Sequence, residues 1–326
     1  MKAVLVTSPG GAENLVIGEV EKPEPKSYEI LVKVVATALN RADILQREGK
    51  YPPPKGASPI LGLEMSGEVV ALGESVTKWK VGDQVFGLLP GGGYAEFAVI
   101  HQDMAMPLPG NANLIEAAAI PEVFLTAYQA LFWLGKLQKG EAVLIHAGGS
   151  GVGTAAIQLA KALETKIIVT ASGGKHQVCL DLGAAWAIDY QTQDFKKKVR
   201  EYTDENGVNV IIDFVAAPYF HQNIDSLSID GRLVLLATLG GGQVENIDLR
   251  KVLSKRLQII GSTLRARSLD YQVALTQAFA AFAMPRFQQG EIKPIIDKVF
   301  DWKEVQEAHR YMEANKNIGK IVLKIS

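Results

Sequence analysis

Cysteine is almost missing from this chain. Its 326 residues hold one, Cys179, which leaves no internal disulfide and no cysteine-based zinc cluster. Lying among Val178, Leu180 and Leu182, that thiol reads as a buried helix residue rather than a nucleophile, since nothing nearby argues for a lowered pKa. Histidine is sparse as well. His101, His146, His176, His221 and His309 have no paired acid or Ser/Cys nucleophile at a diagnostic spacing, and they read as structural or surface groups. A surplus of one charge is also lacking: 34 basic and 35 acidic side chains give a net −1. No global field favours nucleic acid or an anionic membrane. No apolar run approaches the roughly 20 residues needed to span a bilayer. The opening Met1-Lys2-Ala3-Val4-Leu5-Val6 reads as a first strand, without the apolar segment and cleavage pattern of a secretory leader. A cytoplasmic protein is expected, with no nucleic-acid or membrane partner.

What is present is apolar bulk and glycine. A hydrophobic content of 48% over this length suits two domains, each with its own core. The chain up to about residue 120 is β-rich: segments 30–35, 67–73, 80–87 and 94–100 carry strand patterns between turns and prolines. From about residue 122 strands and helices alternate. Strands are expected near 142–145, 166–170, 186–188, 208–214, 231–237 and 257–262, which implies a parallel sheet covered by helices on both sides. No internal repeat or low-complexity tract is visible.

The sharpest signal is the run Val143-Leu144-Ile145-His146-Ala147-Gly148-Gly149-Ser150-Gly151-Val152-Gly153, continuing into Thr154-Ala155-Ala156-Ile157. A buried strand meets a glycine-rich turn and continues as a helix, the arrangement that binds a dinucleotide pyrophosphate. Glycines let the backbone approach the phosphates, and N–H groups at the helix start face the negative charge. The register Gly151-x-Gly153-x-x-Ala156 is not the standard fingerprint, and an ordinary strand-turn-helix is the plain alternative. The next strand ends in Thr170-Ala171-Ser172-Gly173-Gly174-Lys175, with no acid to accept from ribose hydroxyls. Ser172 and Lys175 suit a 2′-phosphate, which favours NADPH over NADH; a solvated helix-start charge is the other reading of Lys175. Tyr190, after the third strand, is placed to add a phenolic donor or to stack near the adenine.

With those residues in place the chain resembles the zinc-free quinone oxidoreductases of the medium-chain dehydrogenase/reductase superfamily, in particular the p53-inducible type and its bacterial relatives. The resemblance runs through Leu39-Asn40-Arg41-Ala42-Asp43, Tyr51-Pro52, Pro59-Ile60-Leu61-Gly62-Leu63-Glu64-Met65-Ser66-Gly67-Glu68-Val69, Val81-Gly82-Asp83-Gln84-Val85, Thr126-Ala127-Tyr128 and Asn317-Ile318-Gly319-Lys320-Ile321-Val322-Leu323. It implies an α/β protein with a GroES-like β-rich domain and a Rossmann dinucleotide-binding domain. The main part of the catalytic domain is expected at 1–121, the NADPH-binding domain at 122–268 and a return segment at 269–326. A cofactor cleft between the domains and a homodimer are implied too; the dimer is expected to use the sheet edge near 257–262.

The zinc-containing branch would carry Cys near position 40 and Gly-His-Glu at 62–64, where this chain has Asn40 and Gly62-Leu63-Glu64. No zinc site and no zinc-dependent alcohol dehydrogenase activity are therefore expected. The resemblance places Asn40 beside the nicotinamide and the acceptor carbonyl, with a turn-capping asparagine as the alternative. Tyr51, on a stiff Pro52-Pro53-Pro54 loop, would stack on or donate to the acceptor, or merely pack. Thr126 and Tyr128 belong to the nicotinamide wall. Gly149, Ser150, Gly151, Val152 and Gly153 would cradle the pyrophosphate, the Ser150 hydroxyl facing it. Thr238 and Leu239 would lie against the nicotinamide ribose, Thr263 and Leu264 would present backbone groups to the carboxamide, and Lys320 would approach the cofactor. Reduction of a quinone is the expected reaction. A double-bond reductase acting on enones or 2-alkenals and a nonenzymatic NADPH-binding sensor are the alternatives.

Overall fold

A computed structural model describes every residue of the chain except Asn111. The chain divides into two compact units: Met1–Leu125 with Leu264–Ser326, and Thr126–Thr263.

The first unit is organised around one long strand, Glu29–Ala38. Ile30, Val32, Val34 and Ala36 are buried and Lys33 between them is exposed, a period-2 alternation in the middle of the strand, while Leu31 and Thr37 nearer its ends are buried as well. That strand pairs antiparallel with Lys320–Lys324, Glu64–Leu72 and Phe97–His101. Gln84–Leu88 and Ala105–Pro107 extend the sheet beyond Glu64–Leu72. On the opposite side Ile296–Asp301 runs parallel to Lys320–Lys324, with the helix Val305–Glu313 between them in sequence, as a parallel pair requires. Gly67 is where two strands approach too closely for a side chain: a Cβ there would stand 2.1 Å from the Lys33 carbonyl oxygen.

The second unit is an all-parallel six-stranded sheet. Its strands run in the order Trp186–Asp189, Lys166–Ala171, Ala142–Ile145, Val208–Asp213, Leu227–Leu235, Gln258–Gly261. The central strands are Val- and Ile-rich and covered on both faces. Val143, Leu144, Ile145, Ile168, Val169, Ile211 and Ile212 are fully buried, as expected when helices flank a parallel sheet. Numbered by sequence within the unit, the order is 3-2-1-4-5-6, the doubly wound arrangement. Its order reverses between Ala142–Ile145 and Val208–Asp213, and the carboxyl ends at such a reversal are where dinucleotides bind. Gln258–Gly261 is an edge strand, and Ile259 on it is exposed. Among the described residues no helix is long and apolar enough to cross a membrane.

Candidate active site

In the second unit the site is made mostly of backbone. Ile145 ends its strand at His146, which is fully buried and hydrogen-bonds Thr170 Oγ1 at 2.9 Å and Asn223 Oδ1 at 2.8 Å. Asn223 in turn donates to Asp213 Oδ2 at 2.9 Å. Burial holds the imidazole below its ordinary pKa. A neutral ring donating from Nε2 to Asn223 and accepting at Nδ1 from Thr170 satisfies both contacts. His146 thus ties three strand ends together where the sheet order reverses. Ala147 then takes a left-handed φ of 53°, and the chain turns into the helix Gly151–Ala162. A Cβ on Gly153 would lie 2.3 Å from the Ala147 carbonyl oxygen, so this close crossing of helix and turn requires glycine. Ser150 caps the helix, its Oγ accepting from Gly153 N at 3.0 Å. That bond uses the hydroxyl only as an acceptor, which leaves its O–H available to donate toward a phosphate, and the other first-turn N–H groups are without helical partners.

The second strand ends at Ala171, followed by Ser172 and the single turn Gly173–Lys175. Lys175 lies back over the glycine turn: a Cβ on Gly149 would meet its Cδ at 2.7 Å. Its stem therefore packs on the glycine turn itself. Cys179 is buried beside it, and burial pushes the thiol up to about 11. Asp189, at the end of the third strand, is an acid that reading the second strand alone misses. Its Oδ2 would be 3.3 Å from a Cβ on Gly173. Tyr190 beside it is exposed. Thr238 and Leu239 are exposed on the loop after the fifth strand, where Leu239 N donates to Phe214 O at 3.0 Å. Tyr128 is half-buried and packs edge-on against Phe132 at 4.9 Å. Thr126 Oγ1 is buried with no hydrogen-bond partner.

The first unit builds its cluster from side chains. The Lys320 ammonium is buried and donates to Leu39 O at 2.7 Å, Asn40 Oδ1 at 2.6 Å and Glu64 Oε1 at 2.7 Å. Asn40 Nδ2 donates to the same Glu64 oxygen at 2.8 Å and to Ala38 O at 3.2 Å. The second Glu64 oxygen accepts from Glu122 N at 2.9 Å. Asp43 accepts from Asn40 N, Gly62 N and the Tyr94 hydroxyl. Burial raises its carboxyl to about 6 against those bonds. Glu122 carries no such compensation. Burial first, then the neighbouring Glu64, pushes its carboxyl up to about 8, so it is mostly neutral at pH 7. Behind Tyr94, His309 touches Arg47 at 3.2 Å, and burial beside that cation drives the imidazole down to about 3.

Tyr51 is half-buried, and the Arg265 guanidinium stands 5.4 Å from its ring centroid. Burial lifts the phenol above its ordinary pKa, with Glu122 adding to the shift and Arg265 opposing it.

Several expected roles change with these contacts. Both Asn40 amide hydrogens are committed, so it donates to an acceptor carbonyl only by releasing Glu64 or Ala38. Lys320, expected to approach the cofactor, has its ammonium committed to Leu39, Asn40 and Glu64. Leu264 falls in the first unit and Thr263 in the second; the Leu264 carbonyl is taken by Arg267 N and Gln272 Nε2. Glu122 and Arg265 have no local motif and were missed by sequence reading.

Two family models match: the alcohol dehydrogenase GroES-like domain over residues 26–110 and zinc-binding dehydrogenase over residues 151–280. Human quinone oxidoreductase is 30% identical over 331 residues, covering 99% of this chain and 97% of that protein. The chain belongs to the medium-chain dehydrogenase/reductase superfamily. Among solved structures, an NAD-dependent alcohol dehydrogenase is similar at TM-score 0.89 and 30% identity, covering both chains fully. A mycobacterial protein complexed with NADPH matches at 0.89 and 28%, also over both full chains. The CurK enoyl reductase matches at 0.88 and 29%, over 100% of this chain and 99% of that one.

As a member of this superfamily the protein is an NAD(P)-dependent oxidoreductase. Its residues fit a nicotinamide dinucleotide: the Gly153 crossing admits no side chain, the helix start offers N–H groups, and the buried Thr126 hydroxyl lacks a partner. They do not fit zinc. Among the described residues no three His, Cys, Asp or Glu side chains are grouped to hold a metal. At the Asn40–Glu64 cluster the central group is the Lys320 ammonium, which repels a dication and donates where a ligand must accept.

Proposed function

We propose that this protein is an NADPH-dependent quinone reductase that works without a metal. The observation carrying the reading is the ammonium of Lys320 at the centre of the Asn40–Glu64 cluster. In the zinc-containing branch a Lewis acid on oxygen assists alcohol oxidation, whereas a quinone is electrophilic before it binds and its product oxyanion needs only donors and a solvent proton. Bound NADPH would supply the hydride. Gly149, Gly151, Val152 and Gly153 would hold the pyrophosphate through backbone, with Thr126, Tyr128 and the Thr238–Leu239 and Thr263 backbone serving the nicotinamide end. Ser172 and Lys175 would hold the 2′-phosphate; Asp189 favours NADH and is the opposing group. Tyr51 would lie against the acceptor ring.

Turnover of NADPH and NADH with a panel of quinones, a panel of enones and no acceptor tests the assignment. Reduction of quinones with NADPH preferred is expected, and no acceptor-dependent oxidation would overturn it. Metal analysis should give far less than one zinc per chain, with activity intact after chelation.

Glu122 favours a second reading, reduction of an enone double bond. That reaction needs a proton on the α-carbon, and a carboxyl still protonated at neutral pH is a better donor than Tyr51, whose phenol is raised. We also propose a homodimer through the exposed Gln258–Gly261 edge. A solution mass of one chain, 35.2 kDa, would count against it.

A further inference from the structure

Arg265 is only 7% exposed. Its Nε donates to Pro90 O at 2.8 Å, while Nη1 and Nη2 are both buried with no hydrogen-bond partner. A buried guanidinium with its terminal fork unpaired is expensive, and proteins rarely leave one without a purpose. The neighbouring acids do not pair with it. Asp43 is committed to Asn40, Gly62 and Tyr94. Glu122 makes no hydrogen bond to it, and burial beside Glu64 keeps that carboxyl mostly neutral at pH 7. On one face the guanidinium meets the Tyr51 ring, and a Cβ on Gly91 would already stand 3.5 Å from Nη2. Gly91, which has no side chain, thus lies within van der Waals reach of the fork.

We propose that Arg265 anchors the acceptor, and that the acceptor it selects carries a carboxylate on or beside a flat unsaturated ring. A carboxylate matches the two terminal nitrogens in a planar, two-bond geometry that a lone carbonyl oxygen uses by half. It also brings a negative charge into hydrogen-bond reach of the fork, where Asp43 is committed elsewhere and Glu122 is mostly neutral. Tyr51, whose ring centroid lies 5.4 Å from the guanidinium, would give the acceptor ring a flat partner beside the fork. The inference rests on the first unit being the acceptor side, as in the proposed function.

Two measurements keep the inference apart from that reading. The first needs no turnover: calorimetric titration of NADPH-loaded protein with benzoate and with benzamide, its neutral counterpart. Benzoate should bind about 10- to 100-fold more tightly, R265Q should erase the preference, and R265K should keep part of it. The second compares kcat/KM for a benzoquinone carboxylate and its methyl ester; the acid should be favoured by a similar factor in wild type and not in R265Q. Equal binding of benzoate and benzamide to wild type, or a preference that survives R265Q, would overturn the anchor. If R265Q does not fold, the wild-type comparison still decides. A benzoate preference without turnover of either quinone would uphold the anchor and remove the quinone reading; rapid reduction of both quinones without any benzoate preference would do the reverse.

Discussion

The glycine-rich turn of the second unit and the polar cluster of the first, the two candidate sites, are assembled by opposite means. The turn is contiguous: eight residues from His146 to Gly153 set its shape, and its functional groups are mainly peptide N–H groups that any sequence possesses. The cluster is dispersed: Asn40, Glu64, Glu122 and Lys320 are separated by up to 280 positions, and each works through its side chain. A backbone site tolerates changes that leave the turn's path intact. A buried side-chain cluster is a balance of charges, in which removing one member exposes the cost of the others.

The largest expected effect follows from that balance. Lys320 and Glu64 are paired with side chains 3% and 0% exposed. Replacing Lys320 by Met leaves the carboxylate buried with neutral N–H donors alone, and should cost about 3–5 kcal/mol of stability. Adding E64Q should recover much of the loss, because the orphaned charge is then gone. Urea unfolding of both variants checks this. A K320M loss below about 1 kcal/mol would mean that the cluster behaves like a surface ion pair, and the contrast between the two sites would fall.

The second effect tests a place where the backbone site leans on a side chain. K175A should weaken NADPH binding about 10- to 150-fold, as for a charge-assisted contact of about 1.5–3 kcal/mol. Solvent access would place the result toward the low end. NADH, with no 2′-phosphate, should change little, and kcat should move less than KM. Equal losses for both cofactors would show that the lysine stem supports Gly149 and does not read the phosphate. Asp189 predicts a complementary shift: D189N should widen the preference for NADPH by weakening NADH.

The contrast also explains what the amino-acid sequence discloses. Periodicity and glycine placement locate the Ala142–Ile145 strand, the turn and the helix Gly151–Ala162, since each is local and its pattern spans a few residues. The parallel sheet and the β-rich unit follow from the same local rules. The cluster does not. Glu64 is visible as part of Gly62-Leu63-Glu64, yet its partner Lys320 is found only once Lys320–Lys324 pairs with Glu29–Ala38 in register. Glu122 begins a helix and reads as an ordinary first-turn acid; its raised pKa comes from burial beside a carboxylate distant in sequence. Asn40 is legible as a donor or a turn-capping residue, but the commitment of both its amide hydrogens is not. Charge balance in a core is a tertiary property.

A smaller effect concerns Glu122 and separates the two acceptor chemistries. With its carboxyl at about 8, the donor form falls away as pH rises through that value. If Glu122 supplies the α-carbon proton, enone reduction should decline about tenfold per pH unit above about 8, while quinone reduction, drawing on solvent, stays level. E122Q should abolish the enone rate and spare the quinone rate. Stability carries the same sign. A carboxyl raised above its unfolded value of 4.5 stabilises the fold fully below that value, and the contribution is lost as pH climbs through about 8. The wild type should therefore lose stability relative to E122Q between those limits. A pH-independent difference between the two would place the Glu122 carboxyl in ordinary contact with water.

The smallest effect asks whether the turn is a backbone device. Ser150 Oγ accepts from Gly153 N, so S150A removes a helix cap and should cost about 1 kcal/mol of stability. It also releases the Gly153 N–H, which points from the same helix end that the pyrophosphate would face. If backbone N–H groups hold the phosphates, S150A should leave NADPH affinity within about twofold of wild type or tighten it, since the freed donor offsets the lost hydroxyl. Fluorescence titration with NADPH, beside a urea unfolding curve, gives both numbers from one protein. Affinity reduced tenfold or more, with only the cap's worth of stability gone, would mean that Ser150 binds phosphate through its side chain. The second site would then resemble the first, depending on a particular side chain and not on the path of the chain.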